Sequence, residues 1–196
     1  MNDSTSVFGL TGWRWFNPPT NYEFDGTGLR VTTDEDTDFW VTTHYGFVRD
    51  TGHALLRPVG AQFRLTATFQ GEYHEQYDQA GLLLRGDAHN WIKTGIEFVD
   101  GEPLLSAVVT REVSDWNVVP LTRIAGRPTS VTIDVRRVND TVTVRYGWDD
   151  HRPDTLLRMA YFPPDAKAEA GPMCASPDGT GFAVRFADVT YEEHIV

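Results

Sequence analysis

The chain is poor in thiols, in lysine and in every compact catalytic motif. Cys174 is the single cysteine among 196 residues, so no intramolecular disulfide forms and no cysteine cage for zinc can be assembled. Positive charge is scarce: 17 Lys and Arg stand against 28 Asp and Glu, a formal net charge of −11, which argues against nucleic acid or an anionic membrane surface as partner. No apolar run approaches the roughly 18 residues of a membrane span. The start, Met1-Asn2-Asp3-Ser4-Thr5, lacks the basic and apolar regions of a signal peptide. The expectation is a cytoplasmic protein. The phosphate loop G-x-x-x-x-G-K-[ST], the dinucleotide G-x-G-x-x-G and the serine elbow G-x-S-x-G are all missing. His74-Glu75 is not followed by a histidine at metalloprotease spacing and the six histidines form no H-x-H, so neither a metal site nor a cofactor is expected.

What the chain does have is aromatic mass and turn formers: six Trp, seven Tyr, eleven Phe, 17 Gly and 11 Pro. Few segments repeat apolar residues at helical spacing, whereas period-two alternation recurs between Gly, Pro, Asp and Asn punctuation. No repeat, low-complexity tract or linker divides residues 1–196, and one domain of this length buries about 70% of its unfolded surface. Asp100-Gly101 supplies the two positive-φ positions of a type I′ turn. The hairpin it closes puts Ile92, Thr94, Ile96 and Phe98 with Leu105, Ala107 and Val109 on the core side, and Trp91, Lys93, Glu97, Ser106 and Thr110 on the other. A second hairpin turns at Asn139-Asp140, aligning Val131, Ile133 and Val135 with Val144, Tyr146 and Trp148 and setting Asp134 opposite Arg145. Further strands are predicted near 28–33, 38–43, 61–70, 79–85, 154–162, 168–175 and 181–191. The stretch Ala166–Ala170 is helix-compatible, but Gly171-Pro172 stops a helix and favours a strand. About ten short strands in one domain call for an all-β fold of two packed antiparallel sheets.

Lys93 stands out because the chain uses 15 arginines and two lysines. A compact ammonium in mid-strand suits a ligand hydroxyl or a carboxylate partner in a pocket; the plainer role is a structural ion pair across the sheet. Lys93 and Glu97 are four strand residues apart, about 13 Å, so each needs a partner elsewhere. Aromatic rings cluster with polar residues at Asp38-Phe39-Trp40, His44-Tyr45-Gly46-Phe47, Tyr73-His74-Glu75-Gln76-Tyr77-Asp78 and Ser114-Asp115-Trp116-Asn117, the combination of flat faces and acceptors that suits sugars. The same Trp and Phe residues equally suit a core. Alternating Asp34, Asp36 and Asp38 have oxygen spacing compatible with calcium or simply an acidic turn. Cys174, in Met173-Cys174-Ala175, reads as an inert buried thiol.

Taken together, Asp38-Phe39-Trp40, His44-Tyr45-Gly46, Tyr77-Asp78-Gln79-Ala80-Gly81-Leu82, Trp91-Ile92-Lys93-Thr94-Gly95-Ile96-Glu97, Ser114-Asp115-Trp116 and Gly171-Pro172-Met173-Cys174-Ala175-Ser176-Pro177 resemble the "regulation of enolase" family, from about Trp15 to Tyr191. The resemblance implies a concanavalin-A-like jelly roll and carries fold, not function. In lectin-like jelly rolls the concave sheet face is the ligand groove, which maps onto Gln79, Lys93, Glu97, Ser106, Thr110 and Arg158, with Trp40, His44, Tyr77, Asp78, Asp115 and Trp116 as rim. The E-x-D-x-x-E strand of the glucanases is absent. Three functions follow as expectations. The first is a binding module for a saccharide or other small polyhydroxylated ligand. The second is a carbohydrate-active enzyme centred on Glu97 and Lys93, with Asp78, Asp115 or Asp38 as the second acid. The third is a regulator that binds a metabolic enzyme through an exposed apolar patch.

Overall fold

The computed structural model describes residues 7–126 and 128–195. In chain order the elements are β1 (Arg14–Phe16), β2 (Asn21–Phe24), β3 (Gly28–Thr32), β4 (Phe39–Val41), β5 (Val48–Asp50), β6 (His53–Val59), β7 (Gln62–Gly71), β8 (Gln79–Asp87), β9 (Asn90–Val99), β10 (Glu102–Arg111), β11 (Val113–Pro120), α1 (Leu121–Ala125), β12 (Val131–Val138), β13 (Thr141–Trp148), β14 (Thr155–Tyr161), β15 (Ala168–Ala175) and β16 (Ala183–Glu193). Sheet I runs β1-β6-β15-β8-β9-β10-β11, sheet II runs β14-β13-β12-β7-β16-β3-β2, and β4 and β5 form a ribbon of their own. The strand pairings are antiparallel throughout. The result is a two-sheet jelly-roll sandwich.

The alternation that signalled strands is the alternation that builds the interior. On β7 every second residue from Phe63 to Phe69 is buried, and these meet Ala80, Leu82, Leu84, Ile92, Ile96 and Leu105 of sheet I in one apolar cluster. Burial of each Leu or Phe there contributes about 1.5–3 kcal/mol. Cys174 belongs to this cluster, and burial pushes its thiol well above the ordinary range, which leaves it protonated and inert. Both expected registers are present: Val99 pairs Glu102 around Asp100 and Gly101, both with positive φ, and Asp134 pairs Arg145.

The central strands of sheet I depart from simple alternation. Residues Gln79–Leu84 and Trp91–Glu97 are buried without interruption, because both faces are covered. The inner face meets sheet II. The outer face is partly roofed by the β4–β5 ribbon, whose Phe39, Trp40 and Val41 pack on Ala54, Leu56, Leu83, Trp91, Val108 and Met173 as a second apolar cluster. The expected open groove is therefore corrected: at the Trp91 and Thr110 end the face is sealed, because apolar residues on both layers gain more from contact than from water. The 38–43 segment, expected as a sheet strand, is this roof, pairing only with β5.

Candidate functional site

Where the ribbon lifts from sheet I it leaves a cavity of about 270 Å³, lined by Asp38, Trp40, Tyr45, Phe47, Arg49, Tyr77, Lys93, Glu97, Trp116, Pro177 and Asp178. Its floor is set by strand register. Lys93 and Glu97 point out of β9 on the same side with Gly95 between them, and Gly95 pairs Gly81 on β8 and Ser106 on β10. A Cβ on Gly95 would lie 2.0 Å from the Ala80 carbonyl oxygen, so this position admits no side chain between the two charged residues.

Both floor charges are nearly dry, Lys93 at 4% exposure and Glu97 at 5%. Lys93 Nζ donates to Gln79 Oε1 at 2.6 Å and to Asp38 Oδ1 at 3.3 Å. Asp38 Oδ1 also accepts from Gln79 Nε2 at 3.1 Å and from the Phe39 amide at 2.7 Å. On the Glu97 side, Trp116 Nε1 donates to Ser106 Oγ at 3.0 Å, and Ser106 Oγ donates to Glu97 Oε2 at 2.8 Å. Burial pushes the Glu97 carboxyl above the usual carboxylate range, against the field of Lys93 and the Ser106 hydrogen bond. As expected from their spacing, Lys93 and Glu97 do not pair with each other, and each is held from another strand.

The walls are aromatic. Trp40 meets Trp116 edge-on with centroids 6.3 Å apart and Tyr45 at 5.6 Å, and Tyr45 stacks on Phe47 at 5.4 Å. Tyr45 and Tyr77 join hydroxyls at 2.7 Å across the mouth; burial and that bond push the Tyr45 phenol upward. Trp40 is pinned by donating Nε1 to the Thr43 carbonyl at 2.8 Å.

The structure thus brings Trp40, Tyr77, Lys93, Glu97 and Trp116 to one cavity, with Gln79 and Ser106 as their immediate supports. It places the other candidates elsewhere. Thr110 lies under the roof, sharing a hydrogen bond with Ser114, which in turn accepts from the Val41 amide. His44 sits on the exposed ribbon tip with φ 66°, its ring edge-on to Tyr45. Arg158 is on β14, in sheet II, and reaches Asp115 Oδ2 at 3.1 Å and Asn117 Oδ1 at 3.2 Å on the side of β11 opposite Trp116. Asp78 is fully buried, its carboxylate filled by Ser176 Oγ and by the amides of His74 and Glu75, which makes it a loop cap. The acids at 34, 36 and 38 diverge: Asp34 accepts from Thr20, while Asp38 serves Lys93. Among the described residues no group of three or more His, Cys, Asp or Glu is arranged to hold a metal ion. Sequence reasoning did not assign Tyr45, Phe47, Arg49 and Asp178 to the site. The first two stood in a string already noted as aromatic and polar, but nothing local shows that a two-stranded ribbon folds them over β9.

A larger cleft of about 490 Å³ opens between the sheets beside α1, but among the described residues Glu72 and Glu102 are the only charged ones in its lining, and no candidate residue is among them. No helix among the described residues is long and apolar enough to cross a membrane.

The fold is a two-sheet antiparallel β-sandwich that carries a buried ion pair and an aromatic-walled cavity on one sheet. The chain belongs to the family described as "Protein of unknown function (DUF1349)", whose model matches residues 15–194. It is 34% identical over 179 residues to "Regulation of enolase protein 1" of Saccharomyces cerevisiae, an alignment covering 91% of this chain and 88% of the yeast one. A crystal structure of a functionally unknown protein from Saccharomyces cerevisiae superposes with TM-score 0.87 at 33% identity, over 94% of this chain and 97% of that one. The xylan beta-1,4-xylosidase from Bacillus Halodurans C-125 superposes with TM-score 0.66 at 12% identity, over 85% of this chain and 33% of that one, a likeness of fold alone.

Proposed function

We propose that the chain is a lectin-like binding domain whose cavity under the β4–β5 ribbon receives a single sugar ring or a similar small polyhydroxylated molecule. One observation carries this reading: five aromatic side chains surround a floor of buried, hydrogen-bonded charge in a cavity of about 270 Å³. Ring CH faces stack on Trp116 and Trp40, and hydroxyls find Lys93 as donor and Glu97 as acceptor. Binding is favoured over hydrolysis because the acids named as partners for Glu97 are committed elsewhere: Asp78 to its loop, Asp115 to Arg158, and Asp38 Oδ1 to three donors. A panel of methyl glycosides titrated by calorimetry tests this. Trp116→Ala is expected to lower affinity by on the order of tenfold or more with an unchanged circular dichroism spectrum; unaltered affinity rejects the site.

A second reading, a partner-binding regulator, is favoured by Leu156, Met159 and Tyr161, which are 55%, 64% and 54% exposed on edge strand β14, and by the name of the yeast relative, "Regulation of enolase protein 1". Replacing Met159 and Tyr161 with Lys is expected to abolish capture of enolase by the immobilised protein. Equal capture by wild type and variant excludes this edge.

A further inference from the structure

The charge inventory of the cavity does not balance. Asp38, Glu97 and Asp178 line it against Lys93 and Arg49, and both cations are engaged: Lys93 with Asp38 and Gln79, Arg49 with the Pro177 carbonyl at 3.2 Å and the face of Phe47 at 4.8 Å. Among the described residues no cation lies within ion-pair distance of Glu97. A carboxylate buried to 5% exposure without a counter-ion is costly and either takes up a proton or recruits a positive charge. The surrounding rings favour the second outcome, because Trp and Tyr faces attract organic ammonium groups and do so most strongly where water is excluded. Lys93 already shows the environment's preference: its ammonium stands 5.9 Å from the Trp40 ring centroid. The bare Gly81–Gly95 pair leaves the floor between Lys93 and Glu97 without a side chain.

We propose that the natural ligand carries a protonated primary amine on a sugar-sized ring, an amino sugar, whose ammonium pairs with Glu97 while its ring lies against Trp116 and Trp40. This rests on the saccharide reading and adds to it the sign of the ligand's charge. It also gives the Trp116–Ser106–Glu97 chain of hydrogen bonds a purpose, since one chain fixes both the stacking ring and the carboxylate that receives the ammonium.

The test is calorimetric titration of the full chain near neutral pH with glucosamine, glucose, N-acetylglucosamine and propylammonium as probes. Glucosamine is expected to bind on the order of tenfold more tightly than glucose or N-acetylglucosamine. In Glu97→Gln, which keeps the size and an acceptor for Ser106, that preference is expected to fall to parity while glucose binding persists. Glucosamine binding no tighter than glucose overturns the charge inference and leaves the saccharide reading standing. Propylammonium binding with no sugar binding supports the cation and rejects the saccharide. Failure of all four probes rejects both.

Discussion

Among the described residues Lys93 and Arg137 are the buried lysine and arginine, and their surroundings differ in kind. Arg137, on the core side of β12, has no exposed surface and donates to the carbonyls of Asn139 at 3.0 Å, Gly60 at 3.5 Å, Pro163 at 2.8 Å and Pro164 at 3.1 Å, with its guanidinium 4.8 Å from the Phe162 ring centroid. These hydrogen-bond acceptors are all backbone oxygens. Lys93 is held instead by side chains, Asp38 and Gln79, and one wall of its environment is cavity rather than packed protein. Backbone carbonyls tie a cation to the fold, since they cannot be withdrawn without moving the chain. Side-chain partners beside a cavity can be shared with a visiting molecule. Arg137 is thus a clasp between loops, and Lys93 belongs to a site.

The comparison breaks first at Arg137. Arg137→Leu strands four carbonyls, two of them in the Pro163-Pro164 segment, and is expected to cost about 4 kcal/mol in urea unfolding. The fraction that remains folded should bind ligand as wild type does. Lys93→Met is next, at about 3 kcal/mol, because Asp38 loses the counter-ion it touches and Glu97 the more distant field of the ammonium. Here Asp38→Asn as a second change should recover part of the loss, whereas no single side-chain change can rescue Arg137→Leu. Ligand affinity should fall in Lys93→Met however stable the protein is made. A Lys93→Met protein with full affinity would put the ammonium in the same structural class as Arg137.

Most of the strand ladder was legible because one face of nearly every strand is dry and the other wet, so period two survives in the letters. β7, β13 and β16 show it plainly. Legibility failed where a strand has two unlike neighbours. β11 reads as a polar aromatic loop through Ser114-Asp115-Trp116-Asn117, yet it pairs with β10 residue for residue. Its Trp116 serves the cavity on one side, and Asp115 and Asn117 serve Arg158 on the other, so no apolar alternation is left to see. The roof was hidden for the same reason. Phe39-Trp40-Val41 is apolar in every position, which fits a buried strand, and only tertiary placement shows that it covers a sheet rather than joins one. The candidate residues on β9 were found because turn chemistry at Asp100-Gly101 fixed their face, while Arg158 came from analogy with lectin grooves and lies in the other sheet.

The smallest expected effect separates the two buried regions by pH. An arginine clasp keeps its charge throughout the accessible range, so the Arg137 region contributes no slope. Glu97 does, since burial sets its folded midpoint above the unfolded one near 4.5. Below the unfolded midpoint the group is protonated in both states and contributes nothing. As pH rises through the window between the two midpoints, the unfolded chain releases its proton first and folding stability falls. The loss amounts to about 1.4 kcal/mol for each pH unit separating them, and is complete above the folded midpoint. Asp25, held low by Thr27, titrates in the opposite sense, so the quantity to measure is the stability of Glu97→Gln minus that of wild type as a function of pH. That difference is expected to grow from acid toward neutral pH and then level off. A saturating amino sugar should flatten it, because the bound ammonium supplies the counter-charge whose absence makes ionised Glu97 costly. A difference independent of pH in the free protein would mean that Glu97 is as fully compensated as Arg137, and the cavity would then have no charge to satisfy.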